Sequence, residues 1–285
     1  MIDNFAGTIA VVTGGGTGMG RELVRQLAIA GADVAFCDIA PDTMAETAAV
    51  VADQAPNSRI VTHQVDVSSE ADLEAFRDAI LAGFETDHVN LVFNNAGIAG
   101  GGSMFDSPRD QWEQTFAVDW GGVYLGCRVF LPLLAAAEAG AVVNTSSVNG
   151  FYASVGPDRP HTAYSAAKFA VKGFTEALMG DLGVHAPHVS AHLVMPGHIG
   201  TKIVANTMRQ AMQEPTPEEA EFLLAVAEEF ETKAPMTAEE AARVILDAVK
   251  AGEWRILVGD DAHELDQRVR DDPEGAYRKN LFELL

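Results

Sequence analysis

A tyrosine and a lysine stand four residues apart in Tyr164-x-x-x-Lys168, within a run of helix-forming residues. A separation of four places both side chains on one face of a helix, close enough to interact. Tyrosine is a poor proton-transfer group near neutrality because the reference pKa of a phenol is about 10, and a neighbouring ammonium would lower that pKa. The pair is therefore a candidate acid–base site, although such pairs also occur on solvated helix faces without any chemical role.

A glycine-rich turn separates the first predicted strand, at 8–13, from a helical pattern at 21–30. Its glycines would let backbone N–H groups approach a pyrophosphate, and the helix N-terminus would add partial positive charge. The alternative is a turn that binds no ligand, but the strand–turn–helix context favours a dinucleotide site. The predicted contacts from this turn are Gly14, Thr17, Gly18, Met19 and Gly20.

The second predicted strand, at 33–38, ends in Asp38. A carboxylate at this position accepts hydrogen bonds from the adenosine ribose hydroxyls and repels a 2′-phosphate. Thr17 in the glycine turn and Ile39 after the acid supply no cation to hold that phosphate. These residues favour NAD over NADP, and the alternative is that Asp38 only caps the turn or helix that follows.

Three later predicted strands also end in polar or small residues, and α/β sheets bind ligands at this edge. The strands are at 59–65, 89–93 and 141–145, and they lead into Asp66-Val67, Asn94-Asn95-Ala96-Gly97 and Ser146-Ser147. Helical patterns intervene at about 41–55, from the Ser68-Ser69-Glu70 start onward, and at 108–137. This alternation predicts an α/β protein whose parallel sheet is covered by helices on both faces. Asp66 could equally be only a turn residue.

Composition narrows the class of protein. A chain of 285 residues with 48% apolar composition and no linker-like tract fits one large α/β domain. The formal net charge of -22 argues against a nucleic-acid or anionic-membrane surface, since both would repel it. The two cysteines, Cys37 and Cys127, supply no disulfide framework or metal-ligand cluster, and we expect both in the core. No signal peptide and no apolar span of about 18 residues is apparent, so a soluble cytoplasmic protein is expected.

Together these residues resemble the short-chain dehydrogenase/reductase family, in its main NAD(P)-dependent branch. The matching motifs occur in the family's order between residue 8 and about 201, and a further strand is recognisable near 254–258. They are Thr13-Gly14-x-x-x-Gly18-x-Gly20, Asp66-Val67, Asn94-Asn95-Ala96-Gly97, Ser147, Tyr164-x-x-x-Lys168 and Pro196-Gly197-x-Ile199-x-Thr201. The resemblance implies a single doubly wound Rossmann-type domain over 1–285, with a parallel sheet of about seven strands. It also implies a helical substrate lid at about 198–235 and a C-terminal tail at about 262–285.

The resemblance assigns roles to particular residues. Tyr164 would be the general acid in ketone reduction and the general base in alcohol oxidation. Lys168 would hold the nicotinamide ribose and lower the tyrosine pKa, while Ser147 would hydrogen-bond the substrate oxygen. The remaining positions implied to bind the cofactor are Asp38, Asp66, Val67, Asn94, Ala96, Gly97, Pro196, Gly197, Ile199 and Thr201.

Two features depart from the family pattern. Asp119 stands where the family usually has an asparagine thought to hold a relay water, and an ionised carboxylate accepts but cannot donate. Asp119 therefore either alters a proton relay or is a helix aspartate paired with a nearby cation. The interval from Ser147 to Tyr164 is longer than is common, and the extra length is predicted at 156–160, beside the substrate. His161 could face the pocket, but a solvated loop histidine is the favoured interpretation.

The predicted lid is rich in glutamate, which would repel carboxylates and phosphates, although Lys202, Arg209 and Lys233 weaken this argument. We therefore expect a neutral, largely hydrophobic secondary alcohol or ketone. The apolar lid residues could line an adaptable pocket or pack a helix core. They are Met208, Met212, Phe222, Leu223 and Leu224.

The expected function is that of an NAD-dependent alcohol dehydrogenase or ketoreductase without a metal ion. The alternatives are an NAD-binding regulatory protein without turnover, which the intact Ser147, Tyr164 and Lys168 set argues against, and an epimerase or dehydratase on the same scaffold. The family pairs the Tyr164 helix and the preceding long helix across a dimer, commonly within a tetramer, so a homo-oligomer is expected. The apolar tail residues could dock on a neighbouring subunit or close the core of their own. They are Leu265, Val269, Tyr277, Leu281 and Phe282.

Overall fold

A seven-stranded parallel sheet forms the centre of the computed structural model, which describes residues 2–100, 102–153, 161–211 and 217–277. The strand order is β3-β2-β1-β4-β5-β6-β9, and every pairing is parallel. The sheet strands are β1 Ile9–Thr13, β2 Asp33–Asp38, β3 Ile60–Gln64, β4 Leu91–Asn94, β5 Gly140–Thr145, β6 Val189–Pro196 and β9 Arg255–Val258. Two short strands, β7 Ile199–Gly200 and β8 Met236–Thr237, pair with each other beside it. The predicted parallel sheet is confirmed.

Helices cover both faces of the sheet. They are α1 Gly18–Ile29, α2 Pro41–Gln54, α3 Glu70–Phe84, α4 Arg109–Phe116, α5 Gly122–Ala136, α6 Thr162–His185, α7 Ile203–Ala211, α8 Pro217–Thr232, α9 Ala238–Ala251 and α10 Asp260–Asp271. One core cluster packs α1, α2 and α9 against one face, and a second packs α3, α5 and α6 against the other. Chain order reverses across the sheet between β1 and β4, which is where doubly wound folds place a ligand.

The burial of each strand follows from its sequence. In β1, β4 and β5 every residue is buried, because central parallel strands are covered on both faces and their sequences are correspondingly apolar. The edge strand β3 is more polar and only partly buried. The start of α3 is also as predicted, since the Ser69 side chain accepts a hydrogen bond from the Asp72 amide.

The predicted long helix at 108–137 is formed by α4 and α5, joined by a π-helical turn at Ala117–Gly121. An 18-residue window within Arg109–Ala136 has a mean hydropathy of 1.2, so the expectation that no such apolar span occurs is wrong. Half of that window is buried inside the domain, where α5 packs against α3, β4 and β5. Its apolar character therefore serves the core.

The C-terminal region packs on its own chain as far as Tyr277. The Tyr152 hydroxyl donates to the Ala276 carbonyl at 3.1 Å, the Ala153 amide donates to the Tyr277 hydroxyl at 3.1 Å, and the two tyrosine rings lie 4.8 Å apart. Leu265 and Val269 of α10 contact the same cluster. The predictions made for 156–160, for Leu281 and Phe282, and for the side chains of Met208, Met212, Phe222 and Leu223 fall outside the described residues, whereas Leu224 is exposed.

Candidate active site

A groove runs along the carboxyl ends of β1, β2 and β4, under the start of α7. Twelve of the predicted cofactor-binding residues line it: Gly14, Thr17, Gly18, Met19, Gly20, Asp38, Ile39, Asp66, Val67, Ala96, Gly97 and Thr201. Asn95, from the motif predicted to face the cofactor, also lines it. Sequence analysis missed other lining residues, namely Ala40, Thr43, Val65, Ile98, Gln114, Val118, Ile203 and Asn206. The groove is continuous along the edge that the strand order marks as a ligand site.

The glycine turn is built so that a ligand can approach the backbone closely. Gly14 and Gly18 have positive φ angles of 68° and 53°, which other residues rarely adopt. A Cβ atom at Gly20 would lie 1.9 Å from the Gly14 carbonyl oxygen, so no side chain fits there. Because α1 begins at Gly18 beside the groove, its free amides and partial positive charge suit the pyrophosphate of a dinucleotide.

Asp38 is held in place by the backbone. Its Oδ2 atom accepts a hydrogen bond from the Gly16 amide at 2.9 Å, and its Oδ1 atom accepts one from the Ala40 amide at 3.1 Å. Arg21, which sequence analysis did not consider, donates to the Gly16 carbonyl at 2.8 Å and forms an ion pair with Glu46 at 2.7 Å. The nearby cation is thus already engaged, and the carboxylate at the groove is fixed.

The loop after β4 is tied to the end of β1. Thr13 Oγ1 accepts hydrogen bonds from the Asn95 and Ala96 amides at 3.0 and 3.1 Å. The Asn95 side-chain amide donates to the Thr13 carbonyl at 3.1 Å, whereas its buried Oδ1 atom has no hydrogen-bond partner among the described residues. An unpaired buried oxygen in the groove is the kind of atom that a bound ligand satisfies.

Asn94 does not line the groove as predicted. Its amide donates to Asn144 Oδ1 at 2.8 Å, and Asn144 in turn donates to Thr175 Oγ1 at 3.0 Å, within the core. Successive side chains along a strand point to opposite faces, so Asn94 faces α5 and Asn95 faces the glycine turn. Sequence analysis had named both amides together, and strand alternation was the signal that could have separated them.

Three positions of the Pro196 motif do not line the groove. Pro196 is buried at the end of β6, and the Ile199 side chain belongs to the core beneath the short β7. A Cβ atom at Gly197 would lie 2.2 Å from the Asp261 carboxylate, which accepts a 2.6 Å hydrogen bond from the His198 amide. Of the four predicted positions in this motif, Thr201 lines the groove.

Ser147, Tyr164 and Lys168 lie together next to the groove. Ser147 follows β5, and its hydroxyl hydrogen-bonds to Tyr164 and accepts from the Asn149 amide at 3.1 Å. Lys168, one turn along α6, places Nζ 5.3 Å from the centre of the tyrosine ring and donates to the Thr145 carbonyl at 3.2 Å. A Cβ atom at Gly97 would lie 3.4 Å from Lys168 Nζ, so Gly97 borders both the groove and this cluster.

Asp119 joins the same cluster from the π-helical turn. The residue is completely buried, and its Oδ1 atom lies 3.6 Å from Lys168 Nζ and accepts the Ile98 amide at 2.9 Å. Burial raises the pKa of Asp119 to about 6, although Lys168 and the Ile98 amide oppose the shift. The Oδ2 atom is buried without a hydrogen-bond partner in the described part of the chain. The predicted nearby cation is therefore Lys168 itself.

The pKa of Tyr164 is shifted upward, opposite to the predicted direction. Burial is the largest cause, and the negative charge of Asp119 adds to it. Lys168, as predicted, and the hydrogen bond with Ser147 both lower the pKa, but their effect is smaller than that of burial and Asp119. The phenol is consequently protonated at neutral pH.

His161 is not the solvated loop histidine that sequence analysis favoured. It is partly buried, and its ring lies 4.6 Å from that of Tyr164, at a tilt of 43°. Burial lowers its pKa to about 4. The spacing of three residues was the sequence signal for this contact, because a helical start at 162 places both side chains on one face.

Helix α7 is fastened across the groove by two hydrogen bonds. The Asn206 side-chain amide donates to Thr17 Oγ1 at 3.0 Å, and the Ala99 backbone amide donates to Thr207 Oγ1 at 2.7 Å. These bonds connect the helix to the glycine turn and to the loop after β4. No local pattern in the sequence pairs residues so far apart, which is why both contacts were missed.

Comparison with known proteins agrees with this geometry. Residues 8–212 match the family model described as short chain dehydrogenase. SadH of Mycobacterium tuberculosis, an oxidoreductase by name, is 35% identical over 94% of this chain and 92% of its own. Levodione reductase of Leifsonia aquatica is 31% identical over 78% of this chain and 80% of its own. A Burkholderia phymatum short-chain dehydrogenase/reductase, crystallised with NAD, superposes with a TM-score of 0.82 at 29% identity, covering 98% of this chain and 97% of that one.

The family match spans most of the chain, and the sheet order, the glycine turn and the Ser147, Tyr164 and Lys168 cluster agree with it. Members of this family are oxidoreductases that bind a nicotinamide cofactor. The chain belongs to the short-chain dehydrogenase/reductase family.

Proposed function

We propose that the protein is an NAD-dependent oxidoreductase that interconverts a neutral, largely hydrophobic secondary alcohol and its ketone. The observation that carries the proposal is the convergence of Ser147, Tyr164 and Lys168 at the end of a groove suited to a dinucleotide. Gly97 lies between the groove and this cluster, so a ligand that fills the groove ends beside the Tyr164 phenol.

The geometry supports a division of tasks among these side chains. Ser147 and Tyr164, already hydrogen-bonded to each other, would both bind the substrate oxygen, and Tyr164 would donate the proton in ketone reduction. Its raised pKa keeps the phenol protonated at neutral pH, which suits this direction. In alcohol oxidation the phenol must lose its proton, and Lys168 stabilises the phenolate. A bound nicotinamide supplies or accepts the hydride.

The preference for NAD rests on Asp38. Its carboxylate is fixed at the groove by the Gly16 and Ala40 amides, where it would accept hydrogen bonds from ribose hydroxyls and repel a 2′-phosphate. The Burkholderia phymatum relative binds NAD, which agrees with the proposal.

The preference for a neutral substrate rests on charge. The net charge of -22 repels anions, and the described end of α8 adds Glu228, Glu229 and Glu231, of which Glu229 pairs with Lys233. Levodione reductase, a relative, reduces a dione according to its name.

Tyr164→Phe tests the proposal. The variant keeps the ring but loses the proton, so NADH-dependent ketone reduction should fall by about 10²–10⁴-fold while NADH binding, measured by calorimetry, stays within about twofold. Tyr124→Phe, on the exposed surface of α5, is the matched control and should leave both unchanged. Full activity of Tyr164→Phe, a lack of NADH binding by the native protein, or fastest turnover of charged substrates would contradict the proposal.

A further inference from the structure

The position of His161 is set by its backbone. The residue immediately precedes α6, and its carbonyl accepts a hydrogen bond from the Ser165 amide at 3.0 Å, as in a first helical turn. It also forms a bridge with Gly102, in the loop after β4. A residue three positions before Tyr164 on this face must project beside the phenol ring, and the centroid distance of 4.6 Å is the result.

The neighbouring residue adds two further anchors. The Thr162 amide donates to the Gly102 carbonyl at 3.1 Å, and Trp112 Nε1 donates to Thr162 Oγ1 at 3.0 Å. The start of α6 is therefore fastened to the loop after β4 and to α4. An imidazole on such a support is held in position before any substrate arrives, which reduces the entropy lost on binding.

The His161 ring carries hydrogen-bonding capacity that the described residues do not use. Its contact with Tyr164 is between two rings tilted at 43°, and within the described ranges no side chain or backbone group hydrogen-bonds to either ring nitrogen. Burial lowers the pKa of His161 to about 4, so the imidazole is neutral at neutral pH, with one donor and one acceptor nitrogen. A polar group that is partly removed from water gains when a ligand restores its lost hydrogen bond.

We propose that His161 is a substrate-recognition residue whose imidazole hydrogen-bonds to a second, neutral oxygen of the substrate, such as a hydroxyl or carbonyl. The inference deepens the proposed function and rests on it. The reacting oxygen is already bound by Ser147 and Tyr164, so the imidazole beside the phenol, which has no hydrogen-bond partner among the described residues, is placed to bind another polar atom. An uncharged imidazole gives no counter-charge to a carboxylate, so the second group is neutral.

A matched pair of ketones separates this role from a structural one. The probes are 4-hydroxy-4-methylcyclohexanone and 4,4-dimethylcyclohexanone, which differ in one polar group, each reduced with NADH; the tertiary hydroxyl cannot itself be oxidised by NAD. His161→Phe keeps an aromatic ring beside Tyr164 and removes the nitrogens. It should raise KM for the hydroxyketone about five- to tenfold, the loss of one hydrogen bond, with kcat within about twofold and no change for the dimethyl compound. Equal losses with both ketones would show that the ring only supports Tyr164 and would overturn the proposal.

Binding gives a readout that does not require turnover. In protein saturated with oxidised NAD a ketone cannot be reduced, so calorimetry can compare the affinities of the two ketones directly. Tighter binding of the hydroxyketone by the native protein, lost in His161→Phe, supports the proposal, and equal affinities in the native protein overturn it. Failure of the proposed function would appear separately, as an absence of NADH oxidation with every ketone, and the binding comparison would still decide the role of His161.

Discussion

Asp119 is a buried carboxylate within the cluster of Ser147, Tyr164 and Lys168. A completely buried carboxylate is costly unless it is paired, and Asp119 is paired with Lys168 at 3.6 Å. Its charge raises the pKa of Tyr164, while Lys168 lowers it. The carboxylate therefore offsets part of the effect that the lysine has on the phenol. We propose that Asp119 is a positioning residue that acts through Lys168.

Asp119→Asn should change the pH dependence of alcohol oxidation. Oxidation needs the phenolate of Tyr164, so kcat/KM rises with pH up to the pKa of that group. Removing the negative charge of Asp119 lowers this pKa, so the rising limb should move to lower pH. Below pH of about 6, where Asp119 itself becomes protonated, the two profiles should converge. The measurement is kcat/KM against pH.

Asp110→Asn provides the control for that experiment. It makes the same change of charge on the exposed face of α4, away from Lys168. Its profile should match that of the native protein. Identical profiles for the native protein and Asp119→Asn would remove Asp119 from the mechanism.

Asp38→Asn should weaken the discrimination between NAD and NADP. The amide has nearly the same shape, but it lacks the charge that repels a 2′-phosphate. We expect the ratio of kcat/KM for NAD to that for NADP to fall about tenfold, measured with one alcohol and both cofactors. An unchanged ratio would mean that the carboxylate does not face the ribose.

At the scale of single elements, one glycine in α1 and one in α6 should respond in opposite ways to replacement by alanine. A Cβ atom at Gly20 would collide with the Gly14 carbonyl, whereas one at Gly180 would meet nothing within 4 Å. Gly20→Ala should therefore abolish NADH binding, and Gly180→Ala should stabilise the fold by about 0.5–1 kcal/mol because alanine favours the helix. NADH titration and urea unfolding measure the two effects, and a Gly20→Ala variant that binds NADH normally would contradict the turn geometry.

The elements were predicted well because their signals are local. Apolar runs mark β1, β4 and β5, and Ser69 marks the start of α3. The π-helical turn at Ala117–Gly121 was missed because it differs from an α-helix only in its hydrogen-bond register. Some residues owe their position to the hydrogen-bond register of a helix or to the face of a strand that they occupy. Tertiary packing sets these positions, so composition does not predict them.

The candidate site also divides into features that local sequence predicts and features that depend on the folded chain. The glycine turn, Asp38 and the Tyr164 cluster could be predicted, since their spacing along the chain carries the information. The contact of Asn206 with Thr17 could not, because the two residues are 189 positions apart and only the folded chain brings them together. The direction of the Tyr164 pKa shift also depends on burial, which the spacing of tyrosine and lysine does not reveal.

At the scale of the whole molecule, an aromatic cluster at the π-helical turn, α5 and α6 is incompletely covered. Trp120 packs against Tyr124 and Phe174, and Tyr124 remains 42% exposed. Phe169, also on α6, is 41% exposed. Exposed aromatic groups of this kind favour an interface. We propose that this surface joins two copies of the chain in a homo-oligomer.

Tyr124→Glu should dissociate that assembly. A charge placed among these rings would be desolvated on association, so the sedimentation coefficient should fall toward that of a monomer. Ile29→Glu is the matched control, because Ile29 is also exposed but lies on α1, on the opposite face of the sheet. A native protein that sediments as a monomer, or a Tyr124→Glu variant that stays assembled, would contradict the proposal.

The contact between residues 152–153 and residues 276–277 affects the order in which parts of the protein can form during synthesis. Tyr152, Ala153 and their partners Ala276 and Tyr277 close over the segment that follows Ser147, and Asn149 also donates to the Tyr152 carbonyl. Residues 276 and 277 are synthesised after all the strands of the central sheet, because the last of these, β9, ends at Val258. The turn that carries Ser147 can therefore gain these supports only after the strands that form the nucleotide groove have been made, so a nascent chain stalled before residue 276 would carry its groove ahead of a finished catalytic turn.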